Sequence, residues 1–542
     1  MVSPSPQASN AIIFTTYSLF LIMGCSFAWK FRHNLKGGFL SGNRTQTAFP
    51  LALNFIASGL GSSILFAWPE LATIAGIQGV LVYALSVALP LFVFAWLGSI
   101  IRKKTPEGFV LTEWTRQRYG TAAMLYLSFA TLVTLFLYLT AELSAVGQVV
   151  TALTPINQLP VMIVQVVITT IYTSLGGFRI SFVTDTVQAT MVMILIIIAA
   201  VTIGVLTDID TSLIKESKFL EPTLLGWQLM YILPVCILTN NFFLSSYWLR
   251  TFASKTDKDL WLGVSMASGA MLVILTMVGC TGLIAVWSGA LPLDQVADSG
   301  SIAFFLLLDK LPPWVVGLVL VLVVALSCAA FDTLQTAMVS SASNDLFRNK
   351  LNIWWIRGGV VVIIAPAIAI ALGAPSVLQI YLISDLVSAC VVPVLCIGLM
   401  DSCYWWRGFE VIVGGIGGII SAFIFGVIYY DGDVRRAGNL LLVSEGLYAN
   451  DWSVFGLFVA APVGSIVWAF AALGLRLSFQ YIQAKRSGRR FEALDRPEGP
   501  GFGYYGDNAP PTPNSGFGDE LGEPRPELSS EQADSKPAGK FF

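Results

Sequence analysis

Residues 172–185 read Tyr172-Thr-Ser-Leu-Gly-Gly-Phe-Arg-Ile-Ser-Phe-Val-Thr-Asp185, which places two glycines, one arginine and one aspartate between two long apolar runs. Gly176 and Gly177 predict a tight turn, because glycine adopts turn conformations without steric cost. A charge close to hydrocarbon is expensive and is usually retained where it is paired or functional. The stretch therefore predicts a turn between two membrane-spanning helices, with charged residues that work or are paired.

The composition extends this prediction to the whole chain. Of 542 residues, 55% are hydrophobic and 12% are charged, and the mean hydropathy is +0.74. Soluble domains carry about 25% charged residues. Apolar stretches of about 20 residues, the length that crosses a bilayer, recur along nearly the whole chain. We therefore expect an all-α polytopic membrane protein; a soluble bundle of fully buried helices is the alternative.

Other features of the composition exclude several classes of function. A formal net charge of −2 argues against a nucleic-acid partner. The seven cysteines are scattered, mostly within apolar runs, and indicate core residues, while the one histidine, His33, argues against a histidine-based metal or catalytic centre. The sequence contains no nucleotide-binding P-loop. We expect no enzyme activity and no cofactor other than a coupling ion.

The apolar pattern predicts about thirteen transmembrane helices. The predicted spans are 11–31, 47–76, 78–101, 121–150, 157–175, 183–206, 225–250, 260–289, 313–345, 353–372, 376–400, 407–430 and 453–478. Lysine and arginine are concentrated in alternate loops, after the first, third, fifth, seventh, ninth and last spans. Because such loops lie in the cytoplasm, the N-terminus is predicted outside and the C-terminus inside. The loop 431–452 carries mixed charge and does not follow the rule clearly.

The remaining segments complete the predicted organisation. Residues 491–542 are rich in Gly, Pro, Ser and acidic residues and predict a disordered tail, either regulatory or inert. The chain divides into 1–45, the first helix and a basic cytoplasmic loop; 46–206 and 207–400, the two core repeats introduced below; 401–480, the last two helices; and 481–542, the cytoplasmic tail.

Four segments and one shorter motif resemble a known family of transporters. They are the double-glycine stretch 172–185; Asn54-Phe-Ile-Ala-Ser-Gly-Leu-Gly-Ser-Ser-Ile64; Arg102-Lys-Lys-Thr-Pro-Glu107 with Leu111-Thr-Glu-Trp-Thr-Arg-Gln-Arg-Tyr-Gly120; Ser246-Tyr-Trp-Leu-Arg-Thr-Phe-Ala-Ser-Lys255; and Asn344-Asp345-Leu-Phe. Together they cover about residues 45–350 and resemble the sodium:solute symporters, in particular the fungal and plant urea/polyamine permease branch. The resemblance implies a LeuT-like five-plus-five inverted-repeat core, with substrate and ion held at the midplane where two helices are broken.

The first predicted substrate site is the interruption of the second span. Gly59 and Gly61, with Ser58, Ser62 and Ser63, offer backbone carbonyls and hydroxyls there. Irregular backbone at membrane depth is tolerated only where it lines a cavity or is buried in protein. Close packing of helices through small residues is the alternative reading.

The second predicted substrate site is in the seventh span. Asn240, Asn241, Ser245 and Tyr247 could hydrogen-bond or stack on a polar solute, or else join helices together. The urea-permease relatives carry an acidic residue at the position of Leu244. Its absence weakens urea as the substrate and a polyamine more so, because a cation requires a carboxylate.

The predicted ion site is ambiguous between sodium and proton. The resemblance implies backbone ligands at Ala57 and Leu60 and two hydroxyl residues that fall at Ala329 and Ala330. Ser327 and Asp332 lie about one turn away and could complete a sodium site.

Asp332 could equally carry a proton, because burial disfavours the charged form of a carboxyl group; proton coupling is favoured. Asp185 is expected near the inner ion path, or else as a helix N-cap. Further carboxylates within the predicted spans are Glu70, Glu142 and Asp385. Each could pair with an arginine or lie at an aqueous vestibule.

These features predict a plasma-membrane symporter that imports a small polar nitrogenous solute, with urea the first expectation, coupled to protons or sodium. Its partners are the small-molecule substrate and the lipid bilayer. The alternatives are a nutrient receptor or uncoupled facilitator of the same fold, or a symporter for a polyamine, amino acid, organic acid or nucleobase.

Overall fold

Helices account for nearly all of the secondary structure. The computed structural model describes residues 5–31, 44–104, 111–347, 350, 352–373, 376–444, 451–488, 490–491 and 493–494. Within these ranges the only β-type pairing is a single bridge between Gln46 and Ser254. Of the predicted tail, 481–542, residues 481–487 continue helix α19, and most of the remainder lies outside the described residues, as do His33 and the side chain of Arg179.

The α-helices follow one another with short connections. They are α1 (Pro6–Phe31), α2 (Ala48–Gly59), α3 (Ile64–Ala88), α4 (Pro90–Lys104), α5 (Leu111–Tyr119), α6 (Thr121–Leu153), α7 (Gln158–Leu206), α8 (Thr211–Ser217), α9 (Leu224–Phe243), α10 (Ser245–Ala253), α11 (Asp257–Trp287), α12 (Val296–Ser299), α13 (Ala303–Leu308), α14 (Pro313–Ser341), α15 (Ile353–Leu372), α16 (Val377–Cys396), α17 (Gly408–Tyr429), α18 (Val434–Leu441) and α19 (Ser453–Ser487).

The number of possible membrane spans is close to the prediction. Among the described residues, eleven helices are long and apolar enough to cross a bilayer, or twelve if the bent pair α9–α10 is one span. The predicted thirteen differ in residues 48–103. There Ala48–Gly59 is short by itself, and Ile64–Lys103 forms one apolar stretch of 40 residues. The second and third predicted spans meet inside that stretch at Gly76, whose backbone is non-helical.

Two glycines with positive φ interrupt long helices at predicted span boundaries. Gly76 has φ 61° and ψ −156°, and Gly177 has φ 56° and ψ −149°. A side chain at Gly76 would also collide with the carbonyl oxygen of Phe219. Glycine is favoured at both positions because other residues rarely adopt this backbone conformation. Gly177 lies between the fifth and sixth predicted spans, so the predicted turn is present there.

Two helix breaks lie in the interior of the bundle. The first comprises the four residues between Gly59 and Ile64, and the second is Leu244, where α9 and α10 are bent by 69°. At the second break the indole of Trp248 donates to the carbonyl oxygen of Phe242 at 2.9 Å. Leu244 is itself buried in the apolar core. Both breaks coincide with the predicted substrate-binding segments.

The Arg-Tyr-Gly motif has a structural role at the end of α16. Arg118 donates to the carbonyl oxygens of Gly398 (3.1 Å), Trp406 (3.0 Å) and Cys403 (2.8 Å). Tyr119 donates to that of Leu395 at 2.7 Å. A helix C-terminus leaves carbonyl oxygens without intrahelical partners. The motif therefore supplies donors that attach α5 to the last turn of α16 and to the segment 398–406 that follows it.

Candidate functional site

A buried carboxylate, Glu142 of α6, closes the first helix break. It accepts hydrogen bonds from the backbone N–H of Ser62 at 2.9 Å, from the Ser62 hydroxyl at 2.8 Å, and from the Ser63 hydroxyl. A side chain at Gly61 would overlap the carboxylate, so glycine permits the close approach. The carboxylate lies at the N-terminus of α3, where unpaired N–H groups and the helix dipole favour negative charge.

Two tyrosines lie beside this carboxylate. Tyr381 of α16 contacts the Ser63 hydroxyl and donates to Glu142 Oε1 at 3.4 Å. The ring of Tyr138, one turn before Glu142 on α6, lies 4.7 Å from the ring of Tyr381 between centroids. Glu142 and its tyrosines thus join α3, α6 and α16.

A second buried carboxylate, Asp385, lies one turn from Tyr381 on α16. The side-chain amide of Asn240 on α9 donates to Asp385 and also to the hydroxyl of Tyr138, the latter at 2.8 Å. Ser384 donates to the Asn240 carbonyl oxygen at 3.4 Å. Residues four apart share a helix face, so Tyr381 and Asp385 on α16 face Tyr138 and Glu142 on α6.

We call Glu142, Tyr138, Asn240, Tyr381 and Asp385 the central cluster. Its two carboxylates are buried, with 2% and 5% of their residue surface exposed, and their hydrogen-bond partners named above are hydroxyls, an amide and a backbone N–H. These partners are neutral. The central cluster therefore presents two acidic groups to which a cationic or strongly hydrogen-bonding solute could bind.

A different arrangement surrounds Asp185 of α7. Arg250 of α10 donates to Asp185 Oδ2 at 2.5 Å, and both side chains are almost fully buried. The guanidinium also donates to the carbonyl oxygens of Asn54 and Ser246 and to the hydroxyl of Thr333, each at 3.0 Å. Arg250 thus joins α2, α7, α10 and α14 and neutralises Asp185.

Asp332 of α14 is adjacent to this pair. It accepts from the hydroxyls of Tyr172 at 2.7 Å, Ser181 at 2.9 Å and Thr184 at 3.3 Å, all on α7. Thr333, the next residue on α14, donates to Asp185 Oδ2 at 3.2 Å and so places Asp332 beside the pair.

We call Asp185, Arg250, Asp332 and Thr333 the arginine cluster. Its α7 partners all come from the stretch 172–185 that first indicated a working or paired charge.

The residues proposed for sodium are only partly brought together. Ala57 packs with Leu53, Ala189 and Ala329 in a small apolar cluster. Leu60 is buried in the core, with its N–H bonded to the carbonyl oxygen of Ile56 at 3.0 Å. Ser327 accepts from Gln165 of α7, and Asp332 faces α7 as described above. The two polar residues expected to compensate for Ala329 and Ala330 thus have hydrogen-bond partners on α7.

The predicted substrate residues fall into two groups. Ser62, Ser63, Gly61 and Asn240 contact the carboxylates of the central cluster. The others have different contacts: the Ser58 hydroxyl donates to the Asn54 carbonyl oxygen (2.7 Å), Ser245 bonds to Ser341 (2.6 Å), the Asn241 carbonyl accepts from Leu244 N–H (3.3 Å), and Tyr247 packs near Gly59 and stacks on Phe55.

Sequence reasoning had named Glu142 and Asp385 but had not placed them together, and had not identified Tyr138 and Tyr381. One signal could have found them. Tyr138 precedes Glu142 by four residues and Tyr381 precedes Asp385 by four, each pair within an apolar span. A phenol and an acid on one face of a membrane helix are a recognisable pattern.

Comparison with known proteins identifies the family of the chain. A family model described as the sodium:solute symporter family matches residues 39–410. A spermidine transporter of Candida albicans is 48% identical over 500 residues, covering 92% of this chain and 95% of the relative. A sodium/pantothenate symporter of Haemophilus influenzae is 24% identical over 346 residues, covering 60% and 69%.

Two solved structures share the fold at low sequence identity. A Na+-coupled sialic acid symporter in a substrate-bound outward-open state has a TM-score of 0.64 and 13% identity, covering 85% of this chain and 98% of its own. A nucleobase-cation-symport-1 family transporter in a closed conformation has a TM-score of 0.54 and 12% identity, covering 80% and 95%. These neighbours confirm the predicted LeuT-like fold. From its family model, its relatives and its fold, the chain belongs to the sodium:solute symporter family and is an integral membrane symporter of a small solute.

Proposed function

We propose that the chain imports a polyamine, with spermidine as the first substrate to test. The observation that carries the proposal is the central cluster, in which Glu142 and Asp385 are buried with neutral partners. A buried carboxylate is costly unless it is paired, protonated or hydrated. An amine carried by the substrate supplies the missing charge. The similarity to a spermidine transporter over almost the full chain supports the same conclusion.

Leu244 had argued against a polyamine because an acidic residue was expected there. In the structure, carboxylates reach the same region from α6 and α16, so the α9–α10 break does not need one. Urea, the first expectation from sequence, lacks the positive charge that these carboxylates would bind. Its remaining support is the Asn240 amide, and it belongs in the same experiment as a competing substrate.

For the coupling ion we propose the proton. The position expected for sodium is lined by the side chains of Ala57 and Ala329, which offer no ligand oxygen. Nearby, Asp332 is fully buried and accepts hydrogen bonds from three hydroxyls, and burial favours the protonated form of a carboxyl group. We further propose that the transporter acts in the plasma membrane, with its N-terminus outside and its C-terminus in the cytoplasm, as the charge pattern of the loops predicts.

The test is uptake of labelled spermidine by transporter-deficient cells at fixed membrane potential, with sodium and external pH varied separately. We expect saturable uptake that rises at acid external pH, does not respond to sodium, is competed by other polyamines but not by urea, and is lost in Asp332→Asn. If urea competes with spermidine and is itself taken up, urea replaces spermidine as the proposed substrate. Uptake that depends on sodium would replace the proton with sodium as the proposed coupling ion. Signalling without measurable uptake would favour a receptor.

A further inference from the structure

A small polar cavity lies where α7, α14 and α15 meet, apart from both carboxylate clusters. Its volume is about 20 Å³. Arg357 lines it on α15, and the polar residues that line it on α7 and α14 are Thr170, Thr173, Ser174, Gln335, Thr336 and Ser340. Polar and charged groups within membrane helices are usually functional. The cavity is therefore a candidate binding site.

Arg357 gives the cavity a positive charge. The residue is 8% exposed and belongs to a helix, residues 354–372, that is long and apolar enough to span a bilayer. Its guanidinium stays protonated in proteins. The ring of Trp354, 4.8 Å from the guanidinium carbon, attracts the cation but carries no net charge. Because none of the described residues that line the cavity is acidic, the cavity favours a negatively charged occupant.

The hydroxyl of Thr336 adds a hydrogen-bond donor to this charge. Thr336 is 6% exposed, and its hydroxyl has no hydrogen-bond partner among the described residues. A threonine within a helix often donates to the carbonyl oxygen four residues earlier, as Thr173 does to Thr169 at 2.7 Å. Thr336 makes no such bond, so its O–H group is available to an acceptor in the cavity.

Hydrogen bonds between α7 and α14 hold the walls of the cavity in place. Gln335 donates to the Thr170 hydroxyl at 2.7 Å and accepts from the Thr173 hydroxyl at 3.4 Å. Asp332, one turn before Thr336 on α14, is not among the lining residues, and its carboxylate accepts from hydroxyls of α7 instead. The cavity is thus formed by contacts that need no occupant.

We propose that this cavity binds a small inorganic anion, with chloride the ion to test, between Arg357 and the hydroxyl of Thr336. The volume accommodates one particle of about the size of a water molecule. A single-atom anion fits it, whereas a phosphate or carboxylate group brings several oxygens. Hydrogen bonds from a guanidinium to an anion are among the strong ones. A water molecule would satisfy Thr336 but would not balance the charge of the arginine.

The position of the cavity indicates what the ion does. Thr336 lies in the last turns of α14, and Arg357 lies in the second turn of α15. The loop between these helices is predicted to be cytoplasmic, so the ion would enter from that side. An anion held by both residues stabilises the packing of α15 against α14. The inference depends neither on the transported solute nor on the coupling ion.

The experiment measures thermal unfolding of the purified full chain in detergent, without spermidine. Chloride replaces gluconate, which is too large for the cavity, at constant pH, sodium concentration and ionic strength. We expect the unfolding midpoint to rise by about 3 °C and then to level off, because a ligand that binds the native state stabilises it until the site is saturated. Bromide should act like chloride.

Variants locate the effect. Arg357→Gln should abolish the response to chloride. Thr336→Val keeps the shape and should raise the half-saturating chloride concentration about tenfold, as expected for the loss of one hydrogen bond to a charged group. Thr336→Ser should restore it. Thr134→Val is the matched control, because Thr134 is also buried with an unpartnered hydroxyl among the described residues but lies on α6.

A wild-type midpoint that does not respond to chloride would overturn the site, and so would an unchanged response in Thr336→Val. If Arg357→Gln does not fold, the Thr336→Val result decides. An equal change in Thr134→Val would show that the response does not arise at this cavity. Stabilisation by an anionic phospholipid without any effect of chloride would replace the small anion with a lipid headgroup. Because no transport is measured, a failure of spermidine uptake leaves this result unaffected.

Discussion

The central cluster and the arginine cluster bury acidic side chains at similar depth but satisfy them differently. Asp185 has its own cation, Arg250, held by four oxygen acceptors on three other helices and α10 itself. Glu142 and Asp385 are held by hydroxyls, an amide and a backbone N–H. A buried charge that is already neutralised is structural, whereas one held by neutral donors can still bind a cation. On this comparison, Glu142 and Asp385, which lie together beside the helix breaks, are the carboxylates that we propose for the substrate.

The largest expected effect comes from removing the fixed cation. Arg250→Met leaves Asp185 buried and uncompensated, which should lower the free energy of unfolding by about 3–5 kcal/mol. Thermal unfolding of the solubilised protein, followed by size-exclusion chromatography, measures this. Because replacing both partners removes the unpaired charge, Arg250→Met with Asp185→Leu should recover most of the loss. Wild-type stability of the single variant would contradict the structural role.

The next largest effect is expected at Glu142, on transport instead of stability. Glu142→Gln keeps acceptor and shape but removes the charge, so KM for spermidine should rise about 30-fold, equivalent to ~2 kcal/mol. Initial uptake rates over a concentration series give KM. Asp345→Asn is the matched control, because Asp345 is also buried and accepts from the hydroxyls of Thr112 and Ser128, away from the central cluster. An unchanged KM in Glu142→Gln would refute substrate binding there.

Asp385→Asn should have a smaller effect than Glu142→Gln. Asn240 can still pair with the new amide, and Glu142 remains as a second carboxylate. The variant therefore loses one charged partner of the substrate. We expect KM for spermidine to rise about tenfold, equivalent to ~1.4 kcal/mol. The double variant with Glu142→Gln tests whether one substrate molecule contacts both. Effects that multiply without interaction would indicate independent contacts, and no effect of Asp385→Asn would remove it from the site.

The smallest effect is expected at Tyr381. Tyr381→Phe removes one hydroxyl that bonds to Glu142 and Ser63, and a neutral hydrogen bond contributes about 0.5–1.5 kcal/mol. Spermidine KM should therefore change by no more than about tenfold. Tyr429 is the last residue of α17 and lies outside the central cluster, so Tyr429→Phe is the tyrosine control. A complete loss of uptake in Tyr381→Phe, with normal folding, would mean that the phenol itself has a larger role than orienting Glu142.

Residue patterns in the sequence predict much of the fold and part of the site. Long apolar runs predicted the helices, and Gly177 predicted a turn, because hydrophobic length and glycine conformation are local properties. The serines and glycines at 58–63 predicted the first break for the same reason. The number of spans differs from the prediction, since residues 64–103 form one apolar stretch, although its interruption at Gly76 coincides with the predicted boundary at 76–78.

Residue roles that depend on partners could not be obtained in this way. Leu244 seemed to count against a cationic substrate because its own helix lacks an acid. The acids, Glu142 on α6 and Asp385 on α16, are more than 100 residues away from it on either side in the sequence. Likewise, Ser327 looked like a substitute ligand for sodium, but it bonds to Gln165 of α7. Spacing along one helix specifies a face and does not specify the element that packs against it.

By itself, the sequence determined that this chain is a helical membrane transporter of a recognisable family, with a break near 58–63, charges at 172–185, and a second broken helix that the resemblance implies in the seventh span. Hydropathy, glycine conformation and motif order are properties of short segments, so no tertiary information is needed to read them. Only the tertiary structure decided which buried acid has a cation and which has neutral partners. That choice depends on contacts between distant helices, and it is the choice that separates Asp185 from Glu142.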